Sequence, residues 1–177
     1  MTPVELPVTA EIQIGEALVR QSSGRHRPQA ALGVSVAVPV AGRWGVAVEA
    51  MGTVGVERSD EIALDQYLVR PAALATITFA RPTTSVPRRR PGPDGATERP
   101  SAWLGFDVGL GPAVHVTLAR WESPDLGTLS TFEPGVRARS ALTLGLGPDA
   151  RLRLQGGLAW RPTGVDHDFT AGLAWAF

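Results

Sequence analysis

Several side chains in this 177-residue sequence have types and spacings that could do chemistry. His115 stands two residues before Thr117, which in an extended chain puts an imidazole and a hydroxyl on one side, as a base and a nucleophile require. Asp166, His167 and Asp168 are three adjacent potential metal ligands, but no fourth accompanies them, and three local residues make a weak site. The glycines of 105–111 do not open a helix, which excludes a phosphate loop. Arg88, Arg89 and Arg90 could hold anionic headgroups, although a solvated linker accounts for them more simply. The largest set is dispersed. Glu11, Glu49, Arg70, Asp107, Arg137, Arg139, Arg153 and Asp168 each fall on one parity of an alternating segment, among Gly, Ala and Thr. Charges of both signs on a shared face can form a salt-bridge network or line an ion path, and the network is the reading favoured here.

The segments that carry these charges alternate with period 2, the mark of half-buried strands. Residues 4–18 place Val8, Ala10, Ile12 and Ile14 opposite Thr9, Glu11 and Gln13. Residues 30–40 alternate again and meet 44–56 across Ala41-Gly42, the strongest hairpin signal in the chain. Residues 66–80 read as a weaker strand, interrupted by Pro71 and with Leu74 on the polar parity. Residues 81–101, rich in Pro, Arg and Gly, read as a mobile connection. Residues 102–121 hold one parity throughout, so a single long strand, bent near its glycines, is expected. Residues 136–146, 150–160 and 168–177 complete about eight strands. Polar stretches 19–29, 58–65, 122–131 and 161–167 read as loops on one side, which leaves His26 and His167 solvated; 41–43 and 147–149 read as tight turns on the other.

Composition narrows the class. The net charge is 0 and the pI about 6.8, so no basic footprint for nucleic acid exists. Cysteine is absent, which removes disulfides and thiolate metal sites. No run of ~18 apolar residues offers a transmembrane helix. Met1 to Glu5 has neither a basic nor an apolar signal region, so export would imply a mature form. The length suits one domain over 1–177, and nothing calls for a cofactor or a metal.

The polarity of the alternation is inverted relative to a soluble barrel. One parity of nearly every strand is uncharged for ~9–11 residues, the length that crosses a bilayer at a tilt. The charges lie on the other parity, and an eight-strand barrel has room inside for side chains but not for a broad pore. Aromatics mark both ends of the strands. Trp44, Phe79, Trp175 and Phe177 lie toward one side, and Tyr67, Trp121, Phe132, Trp160 and Phe169 toward the other, as two interfacial girdles. The expected fold is all-β, an eight-stranded antiparallel up-and-down transmembrane β-barrel.

Two motifs resemble a known class. Thr170, Gly172, Trp175 and Phe177 resemble the C-terminal β-signal of bacterial outer-membrane barrels. The stretch from Arg99-Pro100 to Gly111, with Trp103, Leu104, Gly105 and Gly109, resembles a strand common in the same proteins. The whole chain is similar to the small outer-membrane β-barrel class that includes the OmpA and OmpX transmembrane domains. The resemblance implies export, recognition by the barrel-assembly machinery and a monomer inserted among outer-membrane lipid or lipopolysaccharide. It does not imply one activity. A structural anchor or surface-binding protein with a filled, non-conducting interior is expected; a narrow channel and a soluble lipocalin-like ligand-binding barrel are the alternatives. A lipid-modifying enzyme is disfavoured, because His115 lies on the inward parity and such an enzyme works on the lipid-facing side.

Overall fold

The computed structural model describes residues 8–21, 24–58, 63–82, 103–121, 127–146 and 150–177. Eight strands run in chain order: β1 (Thr9–Arg20), β2 (His26–Ala41), β3 (Trp44–Arg58), β4 (Ala63–Pro82), β5 (Trp103–Trp121), β6 (Thr128–Gly145), β7 (Ala150–Arg161) and β8 (Gly164–Ala176). Each pairs antiparallel with its sequence neighbours, and β8 returns to β1, so the sheet closes. Closure removes the exposed edge that a strand ending in Trp-Ala-Phe would otherwise leave. Among the described residues no helix is long and apolar enough to cross a membrane. The expected connection at 81–101 falls from residue 83 onward outside the described residues, as do residues 1–7 and the turn at 147–149.

The alternation dictates which side chains meet across the wall. Ile12, Val34, Val48, Leu110, Leu142, Leu154 and Leu173 all point outward and are each more than 45% exposed. Glu11, Glu49, Arg70, Asp107, Arg137, Arg139, Arg153 and Asp168 all point inward and are at most 8% exposed. A soluble barrel with that distribution would present its apolar side chains to water and desolvate its charges, so the lipocalin-like alternative fails on polarity. The outward band instead has the composition of a lipid-facing surface.

The strands run further than their apolar stretches. β1 continues to Arg20 and β2 begins at His26, so the loop expected over 19–29 shrinks; β3 reaches Arg58, β4 starts at Ala63 and β6 at Thr128. The loop expected over 161–167 is only a turn at Pro162 and Thr163. The reason is that polar residues above an apolar band can still alternate: Asp166 points inward, where its Oδ1 accepts the Arg20 backbone N–H at 2.8 Å. His26 and His167, expected in loops, therefore lie on strands and on the outward face, their ring centroids 5.5 Å apart. β4 is one strand through Pro71, and Leu74 is buried in an apolar interior cluster with Ala47, Ala72 and Ala113. Glu16 departs from the uncharged outward parity, but it pairs with Phe169 at the level of the outer aromatics.

Candidate functional site: the charged barrel interior

Strand register carries eight charged side chains from seven strands into one lumen. Arg137, on β6, is fully buried and reaches across to β3, where its Nε donates to a Glu49 carboxylate oxygen. Its two terminal nitrogens donate to Asp168 on β8, at 2.5 and 3.0 Å. Arg139, two residues on and therefore on the same face, donates from Nη1 to the other Glu49 oxygen at 2.8 Å. Nearer the turn end of the barrel, Arg153 donates to Asp107 at 2.6 Å and lies 3.5 Å from Glu11. Arg70 holds Asp168 from the opposite side at 3.3 Å.

The guanidinium fork explains why arginine fills these places. It offers donors in a plane, so one Arg137 can bind two carboxylates from different strands. Glycine makes the room. A side chain at Gly157 would meet Arg137 Nη1 and Asp168 Oδ1 at 2.6 Å, and one at Gly172 would meet Glu11 Oε1 at 2.7 Å. Amides extend the network. Thr170 donates to Gln13 Oε1 at 3.1 Å, and Gln155 exchanges contacts with Gln13 and Arg139 at 3.3–3.5 Å.

All eight interior charges expected from the sequence enter this one arrangement. Reading by segment missed a second tier toward the outer end. There Arg161 binds Glu133 at 2.9 Å and Asp166 at 3.2 Å, and buried His115 lies 3.7 Å from Asp166. Period 2 contained the signal, since Glu133 shares the parity of Arg137, and Asp166 that of Asp168. The supposed trio of metal ligands is split by the wall, with Asp166 and Asp168 inside and His167 outside. Among the described residues no group of three or more His, Cys, Asp or Glu could hold a metal ion.

The two ends of the lumen differ. At the end bearing the outer strand tips lies a cavity of about 590 Å³, lined by Arg20, Arg25, Arg27 and Arg161 together with Glu133 and Gln66. At the other end, beside Arg43, Arg151 and Arg153, the cavity is only about 60 Å³. Of the girdle residues, Trp44, Tyr67, Phe79, Phe132, Trp160 and Phe169 are all outward and at least 40% exposed. Phe106, which pairs with Phe79, joins them; the Trp121 side chain lies outside the described residues. In the C-terminal motif, Thr170 points inward, Trp175 and Phe177 point outward, and Gly172 faces Glu11.

A closed eight-strand antiparallel barrel, apolar outside and charged inside, is the fold of the small outer-membrane barrels, the OmpA/OmpX-like class. Solved structures of that class are similar to this chain. Ail, the attachment invasion locus protein of Yersinia pestis, superposes with a TM-score of 0.59 at 9% identity, over 97% of both chains. Neisserial surface protein A gives 0.55 at 13% identity over 96% of both chains. The N-terminal β-barrel domain of Pseudomonas aeruginosa OprF gives 0.55 at 10% identity, over 96% of this chain and 97% of that one. A second Ail structure, in complex with the heparin analogue sucrose octasulfate, gives 0.55 at 11% identity over 97% of both chains. No family model and no curated protein sequence matches the chain.

Proposed function

We propose that this protein is a non-conducting anchor in the bacterial outer membrane, and that its binding surface is the arginine-lined outer mouth. The carrying observation is that Arg137 and Arg139, on β6, pair with Glu49, on β3, across the lumen. Side chains joined from opposite walls replace a water column with fixed ion pairs, and an eight-strand barrel has little further room. Binding then falls to the surface outside the plug, where Arg20, Arg25, Arg27 and Arg161 border the larger cavity. Guanidinium groups in such number suit a ligand with several phosphate or sulfate groups, such as the phosphorylated core of lipopolysaccharide or a sulfated saccharide. The heparin analogue bound to Ail supports the same chemistry.

Planar-bilayer recording tests the anchor: no steady conductance is expected from the purified protein. Steady, ion-selective conductance that changes in Glu49→Ala, with stability unaltered, would establish a narrow channel instead. For the mouth, sucrose octasulfate and lipopolysaccharide serve as probes. Arg25→Ala with Arg161→Ala should weaken the binding of one of them and make it less steeply dependent on salt, since fewer cations then meet the ligand. Binding indifferent to both changes would leave the mouth without that role.

A further inference from the structure

The wall that separates His167 from Asp166 and Asp168 gives it a different companion. β1 stands between β2 and β8. The register sets His26 opposite Arg20 on one side of it and His167 opposite Leu18 on the other. Alternate residues of a strand share a face, so both histidines fall on the outer side of the wall, at neighbouring steps. Their imidazoles, both exposed, approach each other over β1, with ring centroids 5.5 Å apart and planes inclined at 65°.

These rings stand above the hydrocarbon. On β8, His167 lies two residues beyond Phe169 of the outer girdle, toward the strand tip, and His26 is the first residue of β2. Polar ring atoms are costly against lipid tails, but at this level they meet water and headgroups.

One of the rings is already held in the form that ligates a metal. His26 Nε2 lies 2.9 Å from the Val165 carbonyl oxygen. That oxygen can only accept, so Nε2 carries the proton and the neutral ring keeps its lone pair on Nδ1. A backbone carbonyl that takes the second N–H is the usual support of a metal-ligating histidine, because it fixes both tautomer and ring orientation. The spacing fits as well. An ion ~2.0–2.1 Å from one nitrogen of each ring, with a tetrahedral angle between them, sets the centroids about 5 Å apart.

We infer that His26 and His167 form a divalent transition-metal site on the outer rim of the barrel, joining β2 to β8 across the outer face of β1. Imidazole ligands suit copper(II), nickel and zinc, with copper(II) held tightest, whereas magnesium and calcium select oxygen ligands. Among the described residues no third histidine or carboxylate completes the set. The remaining positions are open to water, and the site is exchangeable, unlike a structural centre closed by four protein ligands.

Copper(II) titrated into the folded, tag-free protein in detergent micelles tests this. One ion should bind per barrel, and its electron paramagnetic resonance spectrum should show coupling to two imidazole nitrogens. His26→Ala and His167→Ala should each weaken binding at least about tenfold, since losing a ligand costs no less than losing its outer support. Each should also leave at most one coupled imidazole. Both side chains are exposed, so the circular dichroism of the variants should be unchanged. His115 is buried and present in both variants, so it cannot account for a difference from the unmodified protein. Excess zinc should compete with the copper, and excess magnesium should not. Coupling to fewer than two imidazoles in the unmodified protein overturns the inference, even if a variant does not fold. So does copper binding that either substitution leaves undiminished, which would assign the ion to one ring alone or to another part of the chain.

Discussion

Removing Glu49 tests the interior network most directly. The carboxylate is 4% exposed and accepts from Arg137 Nε and Arg139 Nη1. The two arginines are left in different states when it goes. Arg137 keeps two bonds to Asp168, at 2.5 and 3.0 Å. Arg139 keeps only a 3.4 Å contact to Gln155 and a 3.8 Å approach to Asp107, and its Nε has no partner to begin with. The cost of Glu49→Ala is therefore the cost of one buried guanidinium left uncompensated, about 3–5 kcal/mol. Glu49→Gln retains an acceptor and should cost less. Arg139→Met in the Glu49→Ala background removes the orphaned charge and should recover much of the loss, because an apolar pair of similar volume often replaces a buried ion pair at little cost. Urea unfolding in phospholipid vesicles, followed by the fluorescence of the five tryptophans, supplies the free energies for the cycle. A single-variant loss under about 1 kcal/mol, or a double variant equal to the sum of the singles, would refute the network as the element that fixes the interior.

Two further pairs of substitutions test the wall, one by its two faces and one by depth. Gly157→Ala puts a methyl group 2.6 Å from both Arg137 Nη1 and Asp168 Oδ1, which their mutual ion pair holds in place; a loss of about 1–3 kcal/mol is expected in the same unfolding assay. Its neighbour Gly156 faces outward with nothing within 4 Å, so Gly156→Ala should stay within about 0.5 kcal/mol, and equal effects at the two sites would contradict the parity. Val48→Arg, outward at mid-strand, should cost about 2–4 kcal/mol in a bilayer, whereas Val56→Arg near the outer end should cost about 0–1; a reversed order would remove the lipid-facing assignment.

Parity made the radial direction of almost every side chain legible in the sequence, because a strand in a closed wall has only two sides. It did not reveal partners. Arg137 and Glu49 are 88 residues apart in sequence, and their meeting depends on strand number and stagger, which no local pattern encodes. Leu74 looked like an error on a polar face because the interior was expected to be polar throughout. In fact the interior also holds apolar clusters beside the charges, one around Met51 on β1–β4 and one around Leu74 on β3–β5. Strand ends were placed too early because the end of the apolar band was equated with the end of the strand. Asp166 and Glu133 keep the inward parity beyond it.

The same charges have a consequence for register. Moving one strand by a single residue against its neighbours sends its whole inward set to the outer face. For β6 that would carry Arg137 and Arg139 into lipid and bring Val136, Ala138 and Leu142 against Glu49 and Asp168. Each arginine near the midplane costs about 2–4 kcal/mol, and each carboxylate deprived of its partner adds a buried unpaired charge. An interior built of Ala and Leu alone would not penalise such a slip in this way, since an aliphatic side chain is tolerated by lipid and lumen alike. Hydrophobic patterning sets the register of a soluble sheet because its two faces meet different solvents. In this barrel the apolar parity is acceptable on either side, so discrimination falls to the residues lipid rejects. The network specifies a single register more than it adds net stability, which agrees with the expectation that breaking it costs more than replacing it.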